Sequence, residues 1–161
     1  MSTSKKHHQY LQRCVALAER ALAEGNDPFG SLLVSAKGEV LFEDYNHSAG
    51  GNKMLHPELA IAVWAAANLN EAERAEAVVY TSGEHCAMCA AAHAWVGLGK
   101  IVYASSTDQL GQWLTEFGAE RPPIAPIRIT EVAPAIETEG PFHEFADTMR
   151  ELHRKNSLRH K

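Results

Sequence analysis

Two short segments of this chain carry residue types that can bind a metal and move a proton: His56-Pro57-Glu58 and Cys86-Ala87-Met88-Cys89. One imidazole and two thiolates fill three corners of a tetrahedral zinc and leave the fourth for water. A structural zinc site would more usually be closed by a fourth protein ligand, so His56, Cys86 and Cys89 predict one reactive Zn2+ per chain. Glu58 adds a carboxylate beside that water. Zinc in such a set carries no net charge and lowers the pKa of its water from near 16 toward about 7. A carboxylate that takes a proton from the water and passes it to a departing group suits zinc-assisted hydrolysis. Each motif alone is weak, because H-x-E is common by chance and a lone Cys-x-x-Cys also reads as a redox pair of the thioredoxin type. A non-catalytic zinc module is the remaining class, and Glu58 speaks against it, since a structural site needs no proton shuttle.

The elements that must bring these segments together alternate between helical and extended. Apolar residues at helical spacing, among them Leu11, Cys14, Val15 and Ala18, predict a helix from Ser4 to Ala23, stopped by Gly25. Ser31–Ala36 and Glu39–Asp44 read as strands joined through Lys37-Gly38. Pro57 opens a helix to Leu69, as proline suits a first helical turn. A strand over Ala77–Ser82, a helix over Ala87–Val96 and a strand over Ile101–Ser105 follow, then a helix over Gln109–Phe117 and a proline-rich linker, 122–126. Ile127–Val132 is expected as a strand and Phe142–Lys155 as a closing helix. Strands separated by crossover helices predict an α/β fold, a three-layer α/β/α sandwich with a mixed central sheet of about five strands. His56 then stands at the mouth of one helix and Cys86 at the mouth of the next, with Cys89 on the same face as Cys86. The positive ends of both helices favour thiolate at the metal.

Composition bounds the setting. The 161 residues suit a single domain, 45% hydrophobic and 22% charged, as in soluble globular proteins. A net charge of −5 gives no whole-chain signature for nucleic acid. The polar start and an apolar run of only Leu59 to Ala67 predict neither a signal peptide nor a membrane span, and three cysteines argue against a disulfide framework. A cytoplasmic protein is expected. Cys14, on an amphipathic helix, reads as an ordinary buried thiol.

The combination H-x-E with a downstream Cys-x-x-Cys resembles the zinc nucleobase deaminases of the cytidine deaminase-like superfamily. The likeness extends to Asp27-Pro28-Phe29-Gly30-Ser31-Leu32-Leu33-Val34, which is similar to the P-F-G-A-V strand of guanine deaminases, and to Asn46 after the second strand. Thr81-Ser82-Gly83-Glu84-His85-Cys86-Ala87-Met88-Cys89 resembles the T-S-x-E-P-C-x-M-C of guanine deaminases and tRNA adenosine deaminases. Two positions depart: Pro57 stands where the family usually has alanine and His85 where it has proline. His85 points away, shapes the substrate pocket or competes for metal.

The resemblance implies a hydrolytic deaminase of a free heterocyclic base, guanine or a similar purine or triazine, with Glu58 as the catalytic shuttle. The alternatives are a tRNA adenosine deaminase and a cytosine or cytidine deaminase. It implies substrate contacts at Asn46, Phe29, Glu116 and His85, with Glu116 pairing to ring N–H and amino donors. Asn46 also reads as a plain turn residue; Asp108 and Glu84 read as solvated surface, Trp113 as pocket wall, and His93 as a core histidine. Phe142 and Phe145 read either as an aromatic lid or as anchors of the last helix. Arg150, Arg154, Lys155, Arg159 and Lys161 form a basic tail, a solvated helix end or an RNA contact. A homodimer is implied, with Trp95, Val96 and Leu98 as candidate contacts or ordinary core.

Overall fold

A computed structural model describes residues 3–160; Met1, Ser2 and Lys161, the last of the basic tail, lie outside them. Helix α1 (Thr3–Ala23) leads into strands β1 (Gly30–Val34) and β2 (Val40–Tyr45). Helices α2 (Pro57–Asn68) and α3 (Glu71–Glu76), strand β3 (Val78–Gly83), helix α4 (Ala87–Val96) and strand β4 (Ile101–Ser105) follow. The chain closes with α5 (Thr107–Phe117), α6 (Ile129–Val132), β5 (Thr138–Glu139) and α7 (Ala146–Arg159). The sheet order is β2-β1-β3-β4-β5. β1 runs antiparallel to both neighbours, while β3, β4 and β5 are parallel.

The sheet divides two cores, as strand alternation requires. Leu32, Val34, Tyr80 and Val102 face one layer, with Leu11 and Cys14 of α1, Trp113 of α5 and Met149 of α7. Leu33, Val79 and Ile101 face the other, with Ile61 of α2, Ala90 of α4 and Ile129 of α6. The α/β mixed sandwich of five strands expected above is therefore the observed one. Mixed strand direction gathers the start of β1 and the ends of β2, β3 and β4 at one edge. Ligand sites in open α/β sheets form at the carboxyl ends of parallel strands.

Expectation and structure differ between residues 127 and 139. Ile127–Val132 is a helical turn: Glu131 accepts from the Arg128 backbone N–H at 3.1 Å and the Ala133 N–H bonds back to Ile129 at 2.8 Å. Ile129 still enters the core, so alternating apolar residues are satisfied without a strand. The fifth strand is the two-residue β5, too short for a periodic signal. α3, also unforeseen, is held by a capping box between Asn70 and Glu73. The closing helix is split, with a 3-10 turn at His143–Phe145 before α7, which runs on to Arg159.

Gly30 shows why the P-F-G segment needs its glycine. A Cβ there would lie 2.5 Å from the Cys14 carbonyl oxygen and 2.5 Å from the Leu17 Cβ, because α1 rests directly on β1. Gly30→Ala must push α1 off the sheet, and we expect a loss of about 1–3 kcal/mol. Urea denaturation should show a lower midpoint with an unchanged slope.

Candidate metal and catalytic centre

α2 and α4 pack side by side with their first turns at the same edge of the sheet. His56 and Cys86 are their N-cap residues, both in extended backbone conformation. An N-cap side chain ordinarily accepts an N–H of its own helix. Neither does so here, which leaves both free to face outward between the helices. Cys89, one turn into α4, completes the group, and all three ligand atoms lie within 4.8 Å of one another.

The dimensions fit zinc. His56 Nδ1 is 3.7 Å from Cys86 Sγ and 3.4 Å from Cys89 Sγ. Tetrahedral bonds of about 2.3 Å to sulfur and 2.0 Å to nitrogen require N···S edges of about 3.5 Å. The Cys86 thiol is pulled down to about 4, first by a hydrogen bond from the Cys89 sulfhydryl and then by the His56 ring, with burial opposing. The same hydrogen bond, with burial, pushes the Cys89 thiol up, so of the two sulfurs Cys86 gives up its proton first.

Glu58, in the first turn of α2, is 5% exposed. Burial is the largest influence on its carboxyl and raises it to about 7, with His56 opposing. Ser31 Oγ lies 3.2 Å from Glu58 Oε1 and 2.9 Å from Thr81 Oγ1, which donates to the Gly83 carbonyl. These hydroxyl protons can rotate, so Ser31 can donate to an ionised Glu58 or accept from a protonated one. Ser31 occupies the position of the alanine in the P-F-G-A-V pattern.

Asn46 is 2% exposed, and its backbone N–H bonds to the Phe29 carbonyl at 2.9 Å. Its amide oxygen accepts from the Ser48 N–H at 2.9 Å and the Ser48 hydroxyl at 2.6 Å. That fixes the amide's orientation and leaves its NH2 as the unspent donor. Phe29 is half-buried at the same edge, and its ring would lie 3.2 Å from a Cβ at Gly83.

Other sequence-nominated residues lie elsewhere. Glu116 is bound by Arg150 at 2.8 Å on the exposed side of α5, and Asp108 pairs with Arg128. His85 is 1% exposed with both ring nitrogens sealed and unpartnered, 5.5 Å from the His93 ring. It lies outside the metal group and lines no open site. His93 donates from Nε2 to the Gly99 carbonyl at 2.7 Å, a core role. Phe142 and Phe145 pack in the α1–α7 core as anchors.

Glu84, expected as solvated surface, has a structural task instead. Its two carboxylate oxygens accept the first backbone N–H groups of α5 (Thr107) and α6 (Ile129), each at 2.9 Å. A carboxylate at a helix N-terminus satisfies donors with no intrahelical partner. Glu84 thereby fastens two helices to the segment that carries Cys86. Its position just after a strand, ahead of two later helix starts, was the only sequence signal.

A groove of about 570 Å³ opens beside His56 along the outward face of α2, walled by Met54, Leu55, Leu59, Val63 and Trp64. His56 lines it and Glu58 does not.

Metal analysis tests this geometry. We expect one zinc per wild-type chain, almost none in Cys89→Ala, and full occupancy in Glu58→Gln, whose side chain is outside the ligand group.

Comparison with known proteins agrees with the site. The zinc-binding region of cytidine and deoxycytidylate deaminases matches residues 4–105. A probable cytosine deaminase of Schizosaccharomyces pombe is 29% identical over 145 residues, 88% of this chain and 87% of its own. A cytosine deaminase of Candida albicans is 30% identical over 117 residues, 68% of this chain and 75% of its own. The solved guanine deaminase of Nitrosomonas europaea superposes with a TM-score of 0.69 over 92% of this chain and 83% of that one, at 18% identity, a likeness of fold. With His56, Cys86 and Cys89 all inside the matched region, the chain belongs to the cytidine and deoxycytidylate deaminase zinc-binding family and is a zinc-dependent nucleobase or nucleoside deaminase.

Proposed function

We propose that the chain hydrolyses the exocyclic amine of a free heterocyclic base, and that this base is a pyrimidine of the cytosine type. The observation that carries the chemistry is the buried carboxyl of Glu58 beside the His56, Cys86 and Cys89 group. The cytosine preference draws on the two relatives named as cytosine deaminases. The motifs resemble those of guanine deaminases, and the carboxylate that resemblance suggested for the ring edge, Glu116, pairs with Arg150.

When bound, zinc supplies the electrophilic centre that acidifies a water molecule. Glu58, whose carboxyl burial raises to about 7, would hold the proton that water gives up and return it to the leaving amine, so that base and water would become the oxo base and ammonia. Ser31 steadies the carboxyl in both states. The Asn46 NH2 is placed to meet a carbonyl or ring-nitrogen acceptor.

A small-molecule substrate also suits the basic tail, much of which is spent internally. Arg150 binds Glu116, Arg154 binds Glu151, and Arg159 donates to the Leu22 and Asn26 carbonyls. Among the described residues no helix is long and apolar enough to cross a membrane. A homodimer belongs to the same proposal: Val63 and Trp95 are 65% and 89% exposed on α2 and α4. Leu98, also considered for that contact, is core.

Ammonia release should be measured for zinc-loaded protein over cytosine, guanine, adenine, ammeline, their nucleosides and a tRNA anticodon stem-loop, with Glu58→Gln as the blank. Cytosine is expected to turn over and the stem-loop to remain unmodified. Ser31→Ala should lower kcat by about tenfold, the cost of one orienting hydrogen bond, with zinc content unchanged. Turnover confined to guanine would restore the purine reading, and turnover confined to the stem-loop would make RNA the substrate.

A further inference from the structure

Apart from the groups assigned above, one buried polar side chain beside Phe29 is unused: His153 of α7. It is 4% exposed. No hydrogen bond among the described residues uses either ring nitrogen, and unlike those of His85 they are not sealed from solvent. Ring nitrogens that solvent reaches and no protein group uses are open to a polar ligand.

Its surroundings say what kind of partner. The His153 ring centroid lies 5.3 Å from that of Phe29 and 6.0 Å from that of Trp113. Phe29 closes onto Gly83, three residues before Cys86, and carries the carbonyl that receives the Asn46 N–H. His153 therefore stands beside Phe29, whose ring lies at the edge of the sheet that holds the metal group. The nearest charged group, Asp27, is already spent, accepting from Asn156 at 3.0 Å and contacting Ser48 Oγ at 3.1 Å. α7 is fastened independently of His153, by Asn156 and by Arg159, which donates to the Leu22 and Asn26 carbonyls at 2.8 Å each. Anchoring of the helix thus does not explain the imidazole.

We propose that His153 is a specificity-determining residue that reads the edge of the bound base with one imidazole hydrogen bond, while Phe29 and Trp113 form the adjoining wall. The inference rests on the free-base deaminase function proposed above. Burial holds the ring neutral, its pKa lowered to about 4, so at neutral pH one nitrogen donates and the other accepts. One neutral imidazole satisfies a single N–H or carbonyl at the base edge. A carboxylate in that place would accept two parallel N–H bonds, the pattern that suits the ring N–H and amino group of guanine. His153 thus gives this chain a physical reason to favour a cytosine-type base.

The test compares zinc-loaded wild type, His153→Phe and His153→Gln on cytosine and guanine. Phenylalanine keeps the aromatic packing and removes both polar atoms; glutamine keeps a donor and an acceptor. His153→Phe should raise KM for cytosine about tenfold or more with kcat within about threefold, and His153→Gln should recover most of that loss. The cytosine-to-guanine ratio of kcat/KM should fall in His153→Phe. An unchanged KM and ratio, or a common fall in kcat and zinc content, would overturn the assignment. If wild type releases ammonia from neither base, the free-base function fails by itself. Tryptophan fluorescence titrations with cytosine then decide His153 separately: saturable binding lost in His153→Phe upholds it, and no binding by wild type overturns it.

Discussion

The site depends on one packing arrangement, α2 against α4 with both N-termini at the carboxyl edge of the sheet. It brings an N-cap histidine and an N-cap cysteine together from distant parts of the chain, and it points two helix dipoles at the sulfurs. The small side chains of the shared core, Ala62, Ala65 and Ala90, permit the close approach. The same contact buries Glu58 in the first turn of α2, and that burial lifts its carboxyl toward neutrality. Metal affinity and proton transfer therefore have a common origin in helix packing.

The surrounding edge is held by polar groups that seldom touch the reacting atoms. Glu84 ties the starts of α5 and α6 to the strand end before Cys86. Asp27 joins Asn156 of α7 to Ser48, and Ser48 orients Asn46. The C-terminal helix is thereby coupled to the Asn46 amide through three hydrogen-bonded side chains. Partly buried charge-assisted bonds of this kind are worth more than the exposed pairs of α7, such as Arg154 with Glu151, which contribute about 0.2–1 kcal/mol.

How much was legible in the sequence follows from the range of each signal. The zinc group was legible because residue type and spacing encode it, and the helix starts followed from Pro57 and from apolar periodicity. Ile127–Val132 was misread because alternating isoleucines look alike in a strand and in a short turn capped by Glu131 within it and by the distant Glu84. Nothing local showed that Glu116 would pair with Arg150, on another helix. His85 looked exposed to chemistry beside Cys86, yet its ring turns inward to His93. His153 and Glu84 owe their roles to contacts made only in three dimensions.

The central claim is that zinc is held by one imidazole and two thiolates with its fourth position open, beside a buried carboxyl that takes no part in ligation. X-ray absorption at the zinc edge of wild type and Glu58→Gln tests it most directly. The structure predicts two sulfur neighbours at about 2.3 Å and two nitrogen or oxygen neighbours at about 2.0 Å, only one of them an imidazole, unchanged by the substitution. A second imidazole in the shell, from His85 or His93, would mean a closed structural site and contradict the account.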